Sequence, residues 1–421
     1  MYSRLNRTYH EFPRNFWVLM GATFIDRLGG ALIFPFFALY VTKKFEVGMV
    51  EVGWLFFIFA VSGLIGSIPG GAISDKFGRK SIIVFGLIVS AVSSIFMGLV
   101  TDLQLFYTVA AFVGLLENVG GPAQQAMIAD LLPEEKRTEG YGIWRVTFNL
   151  SVVIGPAIGG FLAAKNFLLL FILDAISSII TAIIVQKILP ETKPEVTKEH
   201  SEQSLVQTIG GYFQVFSDMP YMGFLLVSSL MVIVYMQMNS TLSVYLRDVH
   251  QIPEEGFGAI MSMNAAMVVF MQFWITRLVS KRAPMLMMAF GTLFYLVGFS
   301  MYGFVASFPL FLLAMVIITI GEMVVSPVAT ALVANLAPEE MRGRYMAIYG
   351  FSWTIPFAFG PLLAGYIMDN YNPDWVWYAS GIVSAIAIGG FLLLHERASD
   401  RLTNFNMEEP GGAAVAAEAA A

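Results

Sequence analysis

Apolar stretches long enough to cross a lipid bilayer recur along almost the whole chain. A membrane-spanning helix needs about 20 predominantly apolar residues, and twelve such stretches can be drawn in the 421-residue sequence. Charged residues make up only 13% of the chain, about half the share found in an ordinary soluble domain. We therefore expect an all-α integral membrane protein.

The twelve predicted spans form two groups of six. The first six cover residues 15–42, 50–74, 80–100, 105–131, 138–163 and 166–188. The second six cover residues 220–246, 255–279, 284–306, 309–335, 343–369 and 374–395. The predicted domains are an N-terminal six-helix bundle over residues 1–188, a polar linker over 189–219, a C-terminal six-helix bundle over 220–395 and a disordered tail over 396–421.

One pattern occurs in both groups at a constant offset of 205 residues. The matching positions are Glu117 and Glu322, Pro122 and Pro327, Pro133–Arg137 and Pro338–Arg342, and Gly155-Pro156 and Gly360-Pro361. This repeat predicts two related halves that arose by duplication.

Lysine and arginine predict the orientation. If both termini lie on one side of the membrane, 18 of the 24 basic residues fall on that side and four on the other. The positive-inside rule then places the termini and the linker in the cytoplasm, and we expect a multi-pass protein of the bacterial cytoplasmic (inner) membrane. The side that holds the termini is called the terminal side below, and the opposite side the distal side.

The linker contains apolar residues at helical spacing, namely Leu205, Ile209, Tyr212, Phe213 and Phe216. They predict either an amphipathic helix on the membrane surface or a simple tether.

A glycine-rich charged loop joins predicted spans 2 and 3. It resembles the signature loop of the major facilitator superfamily, G-x-x-x-D-x-x-G-R-K, which is matched at Gly71, Asp75, Gly78, Arg79 and Lys80. A run in span 5 is similar to a second signature, associated with the proton-coupled drug exporters, and consists of Gly155, Pro156, Gly159 and Gly160.

The resemblance, in particular to the twelve-helix drug:proton antiporters, implies two pseudo-symmetric bundles around a central cavity that opens alternately to either side. Spans 1, 4, 7 and 10 would line this cavity. It also implies that Asp75 and Arg79, together with an acid at the inner end of span 4, here Asp130, form a conformational latch. The chain departs from many drug exporters in having Glu117 where they carry an arginine.

Ionisable residues inside the spans are the candidate binding groups, because each costs about 2.5–3.5 kcal/mol at the bilayer centre. They are Asp26, Arg27, Glu117, Arg145 and Glu322, with Asn149 one turn after Arg145. Arg145 is the expected counter-ion of Asp26 or Glu117, and structural ion pairs are the alternative role for the arginines. Three acids against two arginines leave one surplus negative charge, so at least one acid is expected to take up a proton. For Asp174 in span 6 a local structural hydrogen bond is expected.

The proline and glycine positions predict bending and close packing. Pro122 and Pro327 should leave the carbonyls of Asn118 and Met323 without their usual helical partner, and we favour a bend at both prolines. The Gly-Pro runs at Gly155-Pro156 and Gly360-Pro361 should allow the two halves to pack closely at the distal end. Spans 7 and 8 are rich in methionine, with Gln237 and Asn239 among the methionines, a composition that suits varied lipophilic ligands.

The sequence indicates a transporter and no enzyme. It has no cysteine and no phosphate-binding Gly-x-x-x-x-Gly-Lys-Ser/Thr loop, and we expect no metal, cofactor or nucleic-acid partner. The expected function is proton-coupled efflux of lipophilic, often cationic compounds by a monomer whose partners are a small-molecule substrate, protons and the lipid bilayer. The alternatives are a carrier of sugars, lipids or small metabolites, and a non-transporting receptor or assembly protein.

Overall fold

The computed structural model describes residues 11–117, 120–133, 136–192, 214–280, 282–338 and 341–397. Throughout these ranges the only regular structure is helical. Eleven helices are long and apolar enough to cross a membrane, and Leu103–Leu116 is a shorter apolar helix. The predicted all-α architecture with twelve spans is therefore confirmed.

The helices are numbered by span. A span is divided into a and b where it contains two helices, and span 4 is divided because residues 118–119 are not described. The first half comprises α1a (Arg14–Ile33), α1b (Phe37–Phe45), α2 (Met49–Phe77), α3 (Arg79–Leu99), α4a (Leu103–Glu117), α4b (Gly120–Leu131), α5 (Arg137–Lys165) and α6 (Leu168–Ile188). The second half comprises α7a (Met219–Ser240), α7b (Leu242–His250), α8 (Glu254–Val279), α9 (Pro284–Tyr302), α10 (Phe308–Leu336), α11 (Arg342–Asn370) and α12 (Trp375–Arg397).

The helix boundaries reproduce the 205-residue offset of the sequence repeat. The short distal helices α1b and α7b each have nine residues and begin one offset apart. The same offset separates the starts of α3 and α9, of α4a and α10, and of α5 and α11. The repeat also extends to backbone conformation, because α1b and α7b end at the left-handed residues Glu46 (φ 54°) and Gln251 (φ 57°).

Span 1 differs from the single uninterrupted helix that its apolar run predicts. A 3-10 turn over Phe34–Phe36 separates α1a from α1b, with Pro35 in its first turn. Proline has no N–H to donate and its ring collides with the carbonyl four residues earlier, so a tighter turn replaces the α-helical one. Hydropathy does not report this break, because all three residues of the turn are apolar.

Residue contacts divide the chain into two compact units. Unit 1 consists of Met1–His200, Gln237–Ala265 and Phe357–Pro373, and unit 2 consists of Ser201–Met236, Ala266–Pro356 and Asp374–Ala421. Unit 1 thus combines the first six spans with the distal parts of spans 7, 8 and 11. The predicted domain boundaries at 188, 219 and 395 follow the covalent repeat rather than these units and remain a prediction.

Each unit has its own buried core. In unit 1, α1a packs against α5 and α6, and α3 packs against α6. Phe16, Met127 and Ile128 are fully buried at the terminal end of this core. In unit 2, α9 packs against α10 and α12, and the rings of Tyr302 and Trp377 lie 5.1 Å apart where α9 ends and α12 begins. The tightly packed helices hold the polar side chains described below in fixed positions.

Candidate functional site

The signature loop brings an arginine and a carboxylate together on the terminal side of unit 1. Arg79 is the first residue of α3 and is 8% exposed, and its Nε lies 3.3 Å from Oδ2 of Asp130 near the end of α4b. The hydroxyl of Thr192 donates to the same oxygen at 3.1 Å. The Arg79–Asp130 contact implied by the resemblance is present, whereas Gly71 and Asp75 lie outside the residues whose surroundings are described.

Gly78 and Glu191 fix the start of α3. Gly78 has φ 97° and ψ 149°, a backbone region that is almost exclusive to glycine. The carboxylate of Glu191 lies against Gly78 and accepts a hydrogen bond from the backbone N–H of Lys80 at 3.3 Å. A carboxylate at a helix N-terminus satisfies a donor that has no partner within the helix and is favoured by the helix dipole. In the sequence, Glu191 and Thr192 fall within the predicted linker, and no local pattern indicates their place at this loop.

Gly78→Ala is expected to destabilise the protein by about 1–3 kcal/mol, because a β-carbon is strained in this backbone region. The new methyl group would also collide with the Glu191 carboxylate, whose carbon lies 2.7 Å from its position. A lower melting temperature of the purified protein would measure this effect. Gly142→Ala is the matched control, since a β-carbon there has open space around it; equal melting temperatures for the two variants would contradict the prediction.

Glycines of α5 allow the close packing that was predicted for the distal end. A β-carbon added to Gly160 would lie 3.0 Å from the Cα of Gly258 on α8, and one added to Gly258 would lie 3.0 Å from the carbonyl oxygen of Pro156. Gly155 packs in the same way against Ala31 of α1a. Backbones approach this closely only where side chains are absent. Within unit 1, α5 therefore meets both α1a and α8 through its glycine face.

The equivalent run of α11 packs on α2. Gly360 and Pro361 are buried, and the following residue, Leu362, lies directly against Gly53. Near the end of α11, the Asp369 carboxylate accepts hydrogen bonds from the backbone N–H groups of Met49 at 2.9 Å and Val50 at 2.7 Å. Because these are the first N–H groups of α2, Asp369 provides the capping carboxylate for a helix of the other sequence half.

An ion pair adds to these distal contacts of unit 1. The Nζ of Lys43 on α1b lies 3.2 Å from Oε1 of Glu254 at the start of α8. Exposed ion pairs of this kind contribute little to stability, so the glycine contacts and the Asp369 cap are the stronger distal connections.

A polar pocket of about 150 Å³ lies within unit 1 and is lined by Asp26 and Arg27. The hydroxyl of Ser178 on α6 donates to Oδ1 of Asp26 at 3.1 Å and lies 3.3 Å from the Ser90 hydroxyl on α3. The pocket has room for several water molecules. Since one carboxylate and one guanidinium line it together, it can exchange protons without carrying a large net charge.

Of the two partners expected for Arg145, the pairing with Asp26 is wrong, and the pairing with Glu117 remains a prediction because the Glu117 side chain is not described. Asp26 shares the face of α1a that packs on α6, because Ala22 and Gly29 on the same face contact Thr181 and Asp174.

The opposite neighbour, α5, is contacted by other positions of α1a. The Ser151 hydroxyl donates to the Phe24 carbonyl at 3.3 Å, and the Arg27 guanidinium lies 5.6 Å from the centre of the Phe148 ring. Arg145 and Asn149 are both exposed on α5, and among described residues neither Arg27 nor Arg145 forms an ion pair. Whether an ion pair forms is therefore decided by the helix faces of α1a and α5 on which the side chains lie, rather than by their distance in sequence.

Asp174 has the local structural contact that was expected. It is buried at 7% exposure, and the Ser94 hydroxyl of α3 donates to its Oδ2. Gln237 and Asn239, predicted from span 7, lie on α7a; Gln237 is buried and its Oε1 accepts a hydrogen bond from the Thr241 hydroxyl at 2.7 Å. This hydrogen bond therefore links α7a to Thr241, which lies between α7a and α7b.

Glu322 lies beside a cluster of aromatic side chains that three other helices of unit 2 contribute, and it contacts this cluster through Tyr235. The Tyr235 hydroxyl of α7a donates to Oε1 of Glu322 at 2.9 Å. The Tyr235 ring stacks on Tyr295 of α9 at 5.9 Å between centroids and meets Trp353 of α11 edge-on at 6.0 Å. A carboxylate beside π-electron faces is the combination that attracts an organic cation. These three aromatic residues, together with Glu322, are called the Glu322 cage below.

The Met323 carbonyl, which Pro327 leaves without its usual helical donor, accepts a hydrogen bond from a side chain. α10 continues through Pro327 without interruption, and the Gln272 amide of α8 donates to the Met323 carbonyl at 3.0 Å. The freed carbonyl is therefore as predicted, and Gln272 supplies the donor that the proline lacks. Because Met323 follows Glu322, this hydrogen bond joins α8 directly to the backbone of the cage.

The first-half counterpart of this region is only partly described. The described part of α4a extends to the backbone of Glu117, whereas the side chains of Glu117 and Pro122 and the whole of Asn118 lie outside the described residues. The residues predicted for the linker helix between Leu205 and Phe213, and the tail from residue 398 onward, are also outside them. Within the part of the chain that can be described, no group of three His, Asp or Glu side chains is arranged to hold a metal ion.

Comparison with known proteins identifies related sequences along nearly the full chain. The model of the Major Facilitator Superfamily matches residues 19–355 and again residues 283–417. A Na⁺, Li⁺, K⁺/H⁺ antiporter of Planococcus maritimus is 25% identical over 411 residues, which cover 91% of this chain and 94% of the relative. Multidrug resistance protein 2 of Bacillus subtilis is 23% identical, with 94% of this chain and 99% of the relative covered.

Solved structures share the fold at low sequence identity. The nucleoside transporter NupG, solved in a mutant form, superposes with a TM-score of 0.77 at 13% identity and covers 90% of this chain and 100% of its own. A POT family transporter in complex with a thioalcohol-conjugated peptide superposes with a TM-score of 0.75 at 16% identity, covering 91% and 95%. At these identities the similarity concerns the fold alone.

Proposed function

Since this chain belongs to the Major Facilitator Superfamily and is a transporter rather than an enzyme, we propose that it exports lipophilic, often cationic compounds in exchange for protons. Export would proceed by alternating access, in a monomer of the bacterial cytoplasmic membrane with both termini in the cytoplasm. The partners would be the transported compound and protons.

The observation that carries this proposal is the Glu322 cage. A lipophilic cation gains from a carboxylate and from aromatic faces at the same time, and each such face contributes about 0.5–2 kcal/mol. Tyr235, Tyr295 and Trp353 come from three helices, so the cage can accept ligands of different shapes by small side-chain movements. A sugar site would instead need several amide and hydroxyl groups that converge on one ligand.

Competition between cation and proton supplies the coupling. When Glu322 is ionised it holds the cation, and when it takes up a proton from the distal side its attraction for the cation is lost. Asp26 is a second candidate for the proton, because its carboxylate lies within a membrane span and lines a pocket with room for water. Glu117, the repeat partner of Glu322, is the third candidate.

The Arg79–Asp130 contact is proposed to act as the latch. It lies where α3 begins and α4b ends, and Thr192 and Glu191 connect it to the segment that follows α6. Separation of α3 from α4b would break a contact in which Arg79 is 8% exposed, and such partly buried charge pairs are costly to break. The latch would thereby favour one conformation of the transport cycle.

Exchange of alkali cations for protons is the second candidate. It is favoured by the similarity along nearly the full length to a Na⁺, Li⁺, K⁺/H⁺ antiporter. The hydroxyls of Ser90 and Ser178 and the carboxylate of Asp26 are oxygen ligands of the type that hard cations prefer. Arg27 lines the same pocket and opposes a second positive charge there, so we rank this function below export of organic cations.

One flux experiment distinguishes these functions. Purified protein in liposomes with an imposed pH gradient should move tetraphenylphosphonium, a lipophilic cation, against its concentration gradient, and collapse of the pH gradient should stop this movement. Proton release driven by Na⁺ or Li⁺ alone would favour the alkali-cation function, and flux of a nucleoside or sugar would favour the metabolite carrier. If none of these compounds moves in protein that remains folded, the transport proposal fails and the receptor alternative gains support.

A further inference from the structure

The terminal ends of α8 and α9 form an open groove in unit 2 that the transport proposal does not use. It is lined by two arginines, Arg277 and Arg282, and by apolar side chains that include Leu278, Leu286 and Met287. Leu278 is 67% exposed and Leu286 is 37% exposed. The groove therefore combines positive charge with an apolar wall.

The two arginines are not neutralised by acids from their own part of the chain. The sequence contains no Asp or Glu between Glu255 and Glu322, a stretch that includes the terminal end of α8 and all of α9. Among the ion pairs formed by described residues, none includes Arg277 or Arg282. The Arg277 guanidinium instead lies 5.7 Å from the centre of the Phe273 ring. A negative group from outside this stretch is the natural complement to the two charges.

The face of α8 that leads up to Arg277 is apolar. Phe270, Phe273 and Trp274 are each more than 60% exposed and stand seven, four and three residues before Arg277, the spacing of one helix face. Tryptophan is favoured where the hydrocarbon core of a membrane meets the head groups. α8 thus presents an apolar strip that ends in an aromatic residue and an arginine.

α9 carries a second apolar strip toward the same groove. Leu286, Phe290, Leu293 and Val297 are exposed at helical spacing along it, and Arg282 lies two residues before the helix begins. Two apolar strips that end at two arginines match the chemistry of a phospholipid, with its apolar tails and charged head.

We propose that this groove binds an anionic phospholipid on the terminal side of the membrane. The arginines contact the head-group phosphate, and the strips of α8 and α9 contact the acyl chains. Arginine suits this role, because its planar guanidinium forms paired hydrogen bonds with phosphate oxygens. The lipid must carry net negative charge, since the two positive charges would be only partly balanced by a zwitterionic head group. The site is independent of the transported compound.

Lipid titration of the full-length protein in detergent tests the proposal. Short-chain phosphatidylglycerol should raise the melting temperature at concentrations at least about 10-fold lower than phosphatidylcholine of the same chain length. Each arginine near an anionic lipid contributes about fivefold in affinity, so the double variant Arg277→Gln and Arg282→Gln should weaken the phosphatidylglycerol response by roughly 30-fold.

Two further double variants complete the test. Arg14→Gln with Lys187→Gln removes two charges of the terminal side outside the groove and should leave the response unchanged. Arg277→Lys with Arg282→Lys keeps the charges and should retain most of it, even if the glutamine variant folds poorly. Equal responses to the two lipids, an unaltered response in the glutamine variant, or full replacement of the lipid by inorganic phosphate would overturn the proposal.

Discussion

Glu322→Gln is expected to lower the pH-driven export of tetraphenylphosphonium by about 100-fold. The substitution keeps the shape and the hydrogen-bonding capacity of the side chain but removes its charge. Loss of one partner from a buried charge pair costs about 3 kcal/mol, and the cation would be left with the aromatic faces of Tyr235, Tyr295 and Trp353 alone. Initial flux into liposomes at a fixed pH gradient measures the effect.

Two controls separate the charge from its surroundings. Tyr235→Phe keeps the ring and removes only the donor to Glu322, so a loss of about fivefold is expected from one hydrogen bond of about 1 kcal/mol. Glu139→Gln neutralises a carboxylate whose side chain is 60% exposed at the start of α5 and should have no effect. Wild-type flux in the Glu322→Gln variant would disprove the role of the cage. Flux that persists but no longer responds to the pH gradient would mean that Glu322 carries the proton and does not bind the cation.

Gly160→Val is expected to reduce transport by about 10- to 100-fold through the distal contacts of unit 1. Even a single β-carbon at this position would lie 3.0 Å from the backbone of Gly258 and 3.1 Å from the carbonyl oxygen of Glu254. Backbone atoms cannot rotate away as a side chain can, and overpacking of this kind costs about 1–3 kcal/mol. The distal contacts of unit 1 would then open for a larger fraction of the time.

Labelling of a single cysteine measures this opening, because the natural chain contains none. Ser243→Cys on α7b replaces a residue that is 1% exposed and should react slowly with an impermeant maleimide added from the distal side. The reaction should accelerate when Gly160→Val is added. Gly142→Val, on the same helix with open space around it, should change neither labelling nor transport; equal behaviour of the two valine variants would contradict the packing argument.

The fold could be predicted from the sequence because hydropathy and the repeat act over many residues. Twelve apolar runs and an offset of 205 predict the number of spans, and the same offset gives the starts of α5 and α11 at Arg137 and Arg342. Local interruptions were missed, since the Phe34–Phe36 turn is as apolar as the helices on either side of it.

The candidate site was less predictable, because its chemistry depends on which helix faces meet. The free carbonyl of Met323 follows directly from Pro327, but its partner Gln272 lies 51 residues away and no local pattern indicates it. Asp26 was correctly selected as a polar residue within a span, whereas its contact with Ser178 depends on the way α6 packs on α1a. The distance between them in sequence is 152 residues, and one sequence alone does not report such a pairing.

Tyr235 illustrates the same limit. It lies within the methionine-rich span 7, where the ligand-binding potential was assigned to Gln237 and Asn239. In the structure the Tyr235 hydroxyl instead donates to Glu322, and Gln237 accepts a hydrogen bond from the Thr241 hydroxyl. An aromatic residue in a predicted cavity-lining span was the available signal, but 36 phenylalanines and 16 tyrosines make that signal unspecific.

The attachment of Thr192 has a mechanical consequence. Its hydroxyl is bonded to Asp130, and Glu191 beside it is bonded to the start of α3, while the chain continues from Thr192 toward the second half of the protein. A pulling force along this backbone would load those two hydrogen bonds before it reached the body of α6. Tension in the segment that follows Thr192 would therefore be transmitted to the Asp130 carboxylate, which contacts Arg79. Without tension this contact would be undisturbed.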